Sequence, residues 1–588
     1  MVKFLKLFVA VFISMLICGF LFILMAVGIV SMASSKSEVK IDDGSILVVD
    51  LSRPVKDFEQ PSITFSMNPD KLTYSPPNLY EELSMIRYAA RDNHIKALYI
   101  KGSDNANGFA ASQELRGAIE DFKKSGKKVI AFAPTMTQSA YFVASVADKV
   151  YVSPEGGLDW TGMVAQTVYF KGLLDKLDIH PEIFYAGKFK SATEPFRNTK
   201  MSDANRLQIN VWLGEIYGQV LAGIAKSRGL DSATLHRLAS EGKIRTAHDA
   251  LENHMVDGLF YADQVDQELR KITAKNQKED LRLISLDKYN KGADYKDYSG
   301  KDRIAVLYAQ GEIASGSDNE GIQSERYVGL IQKIRKDSSI KALVIRVNSP
   351  GGSALASDQI WREIQLTKKI KPVIVSMGDM AASGGYYISC GADYIFAEPT
   401  TLTGSIGVFS MMGDASSFLK NRLGITFDAV KTGPHADLGS IARPLTDVER
   451  HWMQASVDSV YHTFTSRVAT GRDTSINYID SIGQGRVWTG FHASKIGLVD
   501  AIGGLDEAIN YAAKKAHSTS YRISTFPVKQ SILSQLLNSK EGQDEDINLK
   551  LKATGLSPEL IDFIGQTRAL KAMMNQPQAK LPYEVKIR

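Results

Sequence analysis

In the second half of the chain, short aliphatic runs alternate with longer stretches of helical periodicity. Aliphatic runs at 304–308, 342–347 and 371–376 predict β-strands, and the stretch from Ala354 to Lys368 predicts a helix. A helix rich in small residues is expected after Met380, with a further short strand behind it. This order is typical of βαβ units. It predicts an α/β fold with a mainly parallel sheet, right-handed crossovers and helices on both faces.

The same pattern occurs twice. The run IKALYIK at 95–101 recurs as IKALVIR at 340–346, an offset of 245 residues. The same offset relates Gly162 to Gly407, so the block between these points contains no net insertion or deletion. Two tandem copies of one α/β domain are the simplest explanation.

The repeat and its flanks predict the domain organisation. The predicted pieces are a cytoplasmic N-terminus at 1–6, a transmembrane anchor at 7–31, an N-terminal repeat at 40–288, a linker at 289–301, a C-terminal repeat at 302–525 and a C-terminal tail at 526–588. The linker is polar and rich in Gly, Asp and Tyr, and the charged tail is expected to dock as helices or to fray. The proline-rich stretch from Asp57 to Asn78 is interpreted as a long surface excursion.

The N-terminus predicts a single membrane-spanning helix. The stretch from Leu7 to Val30 carries no charge, and at about 1.5 Å per residue it spans a bilayer core of about 30 Å. The apolar region of a cleaved signal peptide is usually only about 7–15 residues long, so we expect an uncleaved anchor in contact with membrane lipid. Lys3 and Lys6 precede this stretch and favour a cytoplasmic N-terminus. The remainder of the chain is therefore expected on the extracytoplasmic side of the inner membrane.

Composition excludes several classes of function. A net charge of +5 over 588 residues, without a compact basic block, argues against nucleic acid as a partner. The two cysteines, Cys18 and Cys390, are too far apart for a CxxC motif, and the ten histidines include no HExxH motif. The chain also lacks a P-loop and a dinucleotide fingerprint. We therefore expect neither a metal ion nor a cofactor.

Three motifs of small residues mark the C-terminal repeat as a candidate site. They are NSPGG at 348–352, MAASGG at 380–385 and LTGSIG at 402–407. Glycines let backbone N–H groups approach a ligand closely, as an oxyanion hole requires. Each motif lies near a strand end, where open α/β sheets bind ligands, so together they predict a site rather than three ordinary turns.

The two copies differ in a complementary way. At the position of Ser405 the N-terminal copy has Trp160, and it lacks the Pro-Gly-Gly turn. The N-terminal copy instead carries GKFKSATEP at 187–195, and its Lys190 aligns with Ala436. A serine hydroxyl needs a base, and a lysine can serve if burial lowers its pKa. The interface between two repeats could provide that burial.

Together these motifs resemble the long form of the signal peptide peptidase A (protease IV) family, from the anchor to about residue 525. The resemblance implies a Clp-protease/crotonase-like fold, with Lys190 as general base and Ser405 as nucleophile. It also implies a homotetramer that encloses the sites and cleaves signal peptides left in the membrane. By further analogy with the Clp protease subunit, Gly352 would donate an oxyanion N–H group, and Ser383 lies where that subunit has its own nucleophile. A second oxyanion N–H group is expected near Gly384.

Several alternatives remain open. Ser383 competes with Ser405 as nucleophile, and His435 is a conceivable base because it lies near the position that aligns with Lys190. A non-catalytic membrane scaffold of the same fold and a crotonase-type acyl-CoA enzyme are the competing functions. The sequence does not decide whether Lys190 meets Ser405 of its own chain or of a neighbour.

Overall fold

The computed structural model describes residues 40–59, 76–273, 279–296, 298–317, 321–529 and 578–580, with the short pieces 14–15, 62–63 and 73–74. Within these ranges no helix is both long enough and apolar enough to cross a bilayer. The predicted anchor from Leu7 to Val30 lies outside the described residues, apart from residues 14–15.

The N-terminal repeat contains a six-stranded parallel sheet. The strands are β1 Ser45–Asp50, β2 Ser62–Ile63, β3 Thr73–Tyr74, β4 Ile95–Lys101, β5 Lys128–Met136, β6 Lys149–Leu158, β7 His180–Ala186, β8 Gly258–Leu259 and β9 Leu283–Ser285. The sheet order is β8-β6-β5-β4-β1-β9, while β2 and β3 pair only with each other and β7 joins a different sheet. Leu47, Leu98 and Val129 on adjacent central strands are fully buried, as expected for a sheet covered by helices.

Ten helices of this repeat fall within the described residues. They are α1 Leu79–Ala89, α2 Phe109–Lys123, α3 Gln138–Ala144, α4 Lys171–Lys176, α5 Glu194–Arg197, α6 Asp203–Arg228, α7 Ser232–Ser240, α8 Ala247–Glu252, α9 Ala262–Thr273 and α10 Leu286–Gly292. A short 3₁₀ turn, Ser191–Thr193, precedes α5.

The C-terminal repeat repeats this architecture with an eight-stranded sheet. Its strands, with one from the tail, are β10 Asp302–Gln310, β11 Ile313–Ala314, β12 Ile322–Gln323, β13 Ile340–Ser349, β14 Gly351–Ser353, β15 Val373–Ala382, β16 Tyr394–Ala397, β17 Leu402–Gly404, β18 Val408–Asp414, β19 Val487–Thr489, β20 Ala501–Ile502, β21 Tyr521–Phe526 and β22 Gln578–Lys580. The main order is β19-β17-β15-β13-β10-β21, with β16 and β20 branching from β15. All these pairs are parallel except β17 with β19.

Its helices cover the sheet and frame the site. They are α11 Ser324–Lys336, α12 Ala354–Lys368, α13 Gly384–Ser389, α14 Ser416–Leu423, α15 Asp447–Gly471, α16 Ile476–Ile482, α17 Gly490–Lys495 and α18 Leu505–Lys515. The two cores therefore show the predicted α/β architecture, with two repeats and parallel sheets.

A third sheet combines strands from both repeats and the tail. Its order is β12-β11-β14-β22-β18-β7, so the N-terminal repeat contributes β7 and the tail contributes β22. Strands β7 and β18 are antiparallel over seven residue pairs, from Ala186 opposite Val408 to His180 opposite Asp414. This pairing brings the end of β7 beside the start of β18, and both ends lead into site residues.

A buried ion-pair cluster also joins the repeats. Arg346 of β13 donates to Asp57 Oδ1 at 2.8 Å and also to Glu114 of α2. Nearby, the Asp379 carboxylate accepts the backbone N–H groups of Ala110 and Ala111 at 3.0 and 3.1 Å. Asp57 and Glu114 of the N-terminal repeat thus compensate the charge of Arg346 in the C-terminal repeat. In the other direction, Asp379 of the C-terminal repeat accepts N–H groups at the start of α2.

The structure differs from the sequence expectations in three places. Asp57 opens the stretch expected on the surface, but it is only 4% exposed because it pairs with Arg346. Helix α10 extends into the expected linker and buries Tyr289 completely. In the tail, expected to be helical or frayed, residues 578–580 form a strand because two open strand edges flank them.

Candidate active site

The segment that carries Lys190 is held at the junction of the two repeats. Strand β7 ends at Ala186, and Gly187 turns the chain with φ of +106° against the backbone of Gln484. A Cβ atom at Gly187 would lie 2.4 Å from the Gln484 carbonyl carbon, so only glycine fits there. Lys190 follows three residues later and is 1% exposed.

Ser405 lies on a tight turn at the end of β17. It is fully buried, its backbone N–H donates to the Arg486 carbonyl at 2.7 Å, and its φ is +51°. A non-glycine residue in this conformation is uncommon and costs on the order of 1–3 kcal/mol. Ser383 has φ of +55° and donates its backbone N–H to the Gly404 carbonyl at 2.8 Å. Two strained serine turns therefore pack against each other.

The Lys190 ammonium nitrogen lies between these two serines. Lys190 Nζ is 2.8 Å from Ser383 Oγ, 3.2 Å from Ser405 Oγ and 3.4 Å from the Ser405 carbonyl oxygen. A neutral amine has two N–H donors and one lone pair. If Ser383 Oγ and the Ser405 carbonyl accept the two donors, the lone pair is left for the Ser405 hydroxyl proton.

Burial lowers the pKa of Lys190 to near neutral pH. Desolvation in this site lowers the pKa from 10.5 to about 7, and no carboxylate contributes to the shift. A substantial fraction of the lysine is therefore neutral at pH 7, and the group can accept a proton near that pH.

Gly352 and Gly384 come together beside these serines. A Cβ atom added to Gly384 would lie 3.1 Å from the Gly352 amide nitrogen, and one added to Gly351 would lie 2.7 Å from the Gly384 amide nitrogen. Gly384 directly follows Ser383, which is hydrogen-bonded to the residue before Ser405. The two predicted oxyanion donors thus form one backbone cluster, and side chains at these glycines would fill it.

The chain is similar to proteins of one peptidase family. The family model "Peptidase family S49" matches residues 121–277 and 365–519, and the "Clp protease" model matches residues 296–401. Protease 4 from Salmonella typhi is 35% identical over 81% of this chain and 78% of its own length. Protease 4 from Haemophilus influenzae is 32% identical over 96% of this chain and 95% of its own length. The chain belongs to peptidase family S49.

A plant relative covers less of the chain. The chloroplastic serine protease SPPA from Arabidopsis thaliana is 32% identical over 73% of this chain and 64% of its own length. The family membership and these relatives make the chain a serine protease of family S49, with a Clp-protease-like α/β fold in two repeats.

In this S49 protease, the loop 484–487 connects the Lys190 segment to the Ser405 turn, and the sequence analysis did not identify it. Gly485 donates its N–H to the Ile406 carbonyl at 2.7 Å, and Phe189 donates to the Gln484 carbonyl at 2.8 Å. A Cβ atom at Gly485 would lie 2.7 Å from the Cα of Lys190. The Gly-Gln-Gly sequence at 483–485 is the only sequence signal that could have indicated this loop.

Gln208 of α6 is a second residue that sequence reasoning missed. Its buried amide donates to the Phe189 carbonyl and Ser191 Oγ at 3.0 Å each, and accepts the Val487 N–H at 3.1 Å. It therefore ties the lysine segment to the 484–487 loop. An isolated glutamine in a long helix carries no pattern that would identify it.

His435 lies apart from the two serines. Its Nδ1 pairs with Glu449 at 2.9 Å and its ring packs against Trp452. Across the part of the chain that the structure describes, no hydrogen bond joins His435 to Ser405 or Ser383.

The N-terminal repeat has a tryptophan at the position that corresponds to Ser405. Trp160 stands at the Ser405 position, is fully buried, and donates its indole N–H to the Leu235 carbonyl at 2.9 Å. A cavity of about 800 Å³ opens nearby, lined among others by Asp104, Thr137 and Ser139. The described residues that line this cavity include Ser139 but no lysine.

Proposed function

We propose that this S49 protease is a membrane-anchored endopeptidase in which Ser405 is the nucleophile and Lys190 the general base. One observation carries the proposal: the fully buried Nζ of Lys190, with a pKa of about 7, lies 3.2 Å from Ser405 Oγ. A lysine buried without a carboxylate partner is costly, and its retention beside a strained serine fits a catalytic role.

In this mechanism neutral Lys190 accepts the Ser405 hydroxyl proton as Oγ attacks the peptide carbonyl carbon. The N–H groups of Gly352 and Gly384 stabilise the oxyanion. Lys190 then returns the proton to the leaving amine, the C–N bond breaks, and an ester remains on Ser405. Water, deprotonated by Lys190, attacks the ester, and the Ser405 oxygen leaves with that proton. Ser383 positions the amine throughout and does not form the ester.

Extended peptides are the expected substrates. Strands β14 and β18 lie one strand apart in the third sheet, with β22 paired to both, and an extended substrate would pair with the same two edges. A cavity of about 430 Å³ opens beside Ser353 and is lined in part by Leu355, Tyr387 and Val460. An apolar side chain of a bound peptide fits such a pocket, and signal peptides supply apolar side chains.

The membrane anchor and the extracytoplasmic site belong to the same proposal. They rest on the uncharged stretch from Leu7 to Val30 behind Lys3 and Lys6. Alkaline extraction should leave the protein in the membrane pellet, and protease added outside should digest the repeats in cells with a permeable outer envelope. Release by alkali would contradict the membrane anchor but would leave the assignment of the site residues unaffected.

A homotetramer is the proposed assembly. Large apolar side chains from the segment after β18 to the first turns of α15 are exposed in the single chain, namely Leu423, Ile425, Phe427, Val430, Leu438, Ile441, Val448 and Trp452. Exposed apolar surface of this extent commonly marks a protein interface. Light scattering of the detergent-solubilised protein should give the mass of four chains, and a monomer would refute this part.

The site assignment is tested with a serine-directed fluorophosphonate probe. Wild type should be labelled, while Ser405→Ala and Lys190→Ala should lose the label with unchanged circular dichroism. His435→Ala should label like wild type, since its partner is Glu449. Loss of label in His435→Ala but not in Lys190→Ala would refute the assigned base. Well-folded wild type that neither labels nor cleaves peptides would instead favour the non-catalytic scaffold.

A further inference from the structure

The cavity of about 800 Å³ lies where the N-terminal repeat has the counterpart of the active site. The offset of 245 residues relates the two structures as well as the two sequences, since α2 spans Phe109–Lys123 and α12 spans Ala354–Lys368. By this offset the three small-residue motifs correspond to residues 103–107, 135–140 and 157–162, and each of these segments lines the cavity in part. The N-terminal repeat thus has an open cavity at the place where the other repeat has its site.

The cavity is acidic. Among the described residues that line it are Asp104, Asp159 and Asp379, with no lysine, arginine or histidine. Asp379 accepts N–H groups at the start of α2, while Asp104 and Asp159 each accept a hydroxyl group through Oδ1, from Thr137 at 2.9 Å and from Thr161 at 3.2 Å. In the part of the chain that the structure describes, the Oδ2 atoms of Asp104 and Asp159 accept no hydrogen bond and no cation pairs with them. Two such carboxylates favour a cationic ligand.

A buried amide supplies a hydrogen-bond donor to the same cavity. Gln138 lines the cavity, is 7% exposed, and accepts the Gly162 N–H through Oε1 at 3.1 Å. Its Nε2 donates to no acceptor among the described residues, and a peptide carbonyl oxygen is an acceptor that would satisfy it. Apolar side chains complete the lining, namely Phe109, Met163, Val164, Ile216, Met380 and Leu402. The lining therefore matches a peptide in which a basic residue stands next to apolar ones.

The cavity is close to the active site along two strands of the C-terminal repeat. Met380 of β15 and Leu402 of β17 line it and pair with each other. Each stands three residues before a serine of the site, Ser383 and Ser405 respectively. Three residues of a strand cover about 10 Å, whereas a signal peptide has about 15–30 residues. One such peptide is long enough to contact both the cavity and the site.

We infer that this cavity is an exosite, a second binding site that holds the basic end of a peptide substrate. This inference rests on the proposed function. A signal peptide begins with a positively charged region, and an apolar region of about 7–15 residues follows. Basic side chains of the first region bind Asp104 and Asp159, a peptide carbonyl accepts from Gln138 Nε2, and the apolar region extends toward Ser405. The exosite adds affinity and takes no part in bond cleavage, so it acts on KM and leaves kcat unchanged.

The test compares two synthetic peptides that share an apolar region and differ at two preceding residues, which are lysines in one and glutamines in the other. Cleavage of both is measured with the detergent-solubilised full-length protein, with fluorophosphonate labelling in parallel. In wild type the KM of the lysine peptide should be about five- to twentyfold lower, as expected for two partly exposed charge pairs, with equal kcat. Asp104→Asn combined with Asp159→Asn should abolish this difference. Each asparagine keeps the oxygen that accepts a hydroxyl group and loses only the charge.

Val164→Lys and Val168→Lys form a matched pair. Both valines are exposed, at 54% and 62%, but of the two only Val164 lines the cavity. The first variant places a cation beside the aspartates, so it should raise the KM of the lysine peptide about fivefold or more. The second should behave like wild type. Equal effects of the two variants would contradict binding in this cavity.

The outcomes separate the exosite from the proposed function. Equal KM values for the two peptides in wild type, or an equal loss for both in the double asparagine variant, would overturn the exosite and leave the proposed function standing. Absence of both cleavage and label would overturn the proposed function. Fluorescence anisotropy of the two peptides on Ser405→Ala protein then decides the binding site without catalysis. Tighter binding of the lysine peptide that is lost with Asp104→Asn would support the site, and equal binding of both peptides would overturn it.

Discussion

The surroundings of the Lys190 side chain disfavour its charged form. It is 1% exposed, and the contacts that the structure gives its Nζ are oxygen atoms of Ser383 and Ser405. Such surroundings can hold a neutral amine well but solvate an ammonium poorly. The pH at which the site works therefore follows from its burial rather than from a neighbouring charge.

The rate of fluorophosphonate labelling should rise with pH and level off above about pH 8. The reason is that the reactive form of Lys190 is neutral, and its pKa in the folded protein is about 7. Below that pH the amine is protonated, and the rate should fall about tenfold per unit. A rate that continues to rise to pH 10 would mean that the lysine titrates as if exposed.

Ser383→Ala should lower kcat about 10- to 100-fold without abolishing labelling. The variant removes the oxygen that accepts from Lys190 Nζ at 2.8 Å, so the amine loses its orientation. That oxygen also stabilises the ammonium form, so the midpoint of the pH profile should move to lower pH. Complete loss of labelling would instead make Ser383 the nucleophile. A purely structural role would lower the activity without moving the midpoint.

Lys190→Met should stabilise the protein at pH 7. The folded-state pKa of about 7 lies below the unfolded value of 10.5, so folding releases a proton and costs free energy at any pH below 10.5. The cost grows as pH falls and is complete below pH 7, where it is at most about 5 kcal/mol. Lost hydrogen bonds offset part of the gain, leaving about 1–3 kcal/mol. Urea unfolding at pH 7 and 9.5 should show the larger gain at pH 7, and an equal gain at both would contradict the shifted pKa.

At the scale of single elements, the sequence predicts helices and strands whose signals are local, but not the pairing of strands that are far apart in the chain. Helix α12 matches the predicted range because its periodicity and its Ser353 cap are local. The third sheet could not be predicted, since β7 and β18 are more than 200 residues apart and neither edge has a pattern that names its partner. Lys190 and Ser405 could be proposed from motifs, whereas Gln208 and Gly485 could not because their roles exist only in the packed junction.

The Arg346 cluster should be the main electrostatic link between the repeats. Arg346→Met leaves the buried carboxylates of Asp57 and Glu114 without a cation, which should cost about 3–5 kcal/mol. Adding Asp57→Asn and Glu114→Gln should recover part of this loss because the orphaned charges are removed. Urea unfolding measures both. Lys341→Met on the same strand is the control, since Lys341 is exposed and bonds only to the Ser338 carbonyl among the contacts described.

At the scale of the whole molecule, duplication has divided one site between two copies. The N-terminal copy has Trp160 at the position of Ser405, and the C-terminal copy has Ala436 at the position of Lys190. Strand β7 leaves its own repeat and pairs with β18, which carries Lys190 to the serine of the same chain. Neither repeat contains the serine-lysine pair alone, so the junction between them is part of the site.

Because Lys190 and Ser405 meet within one chain, two inactive variants should not rescue each other. Co-expression of Lys190→Ala and Ser405→Ala chains should yield assemblies with no more peptidase activity than either variant alone. If the lysine of one chain served the serine of its neighbour, mixed assemblies would contain intact pairs, and activity would return to a sizeable fraction of wild type. Affinity tags of two kinds isolate the mixed assemblies. Wild type co-expressed with the double variant shows what one intact chain contributes, so that recovered activity in the mixed variants would establish a pair shared between chains.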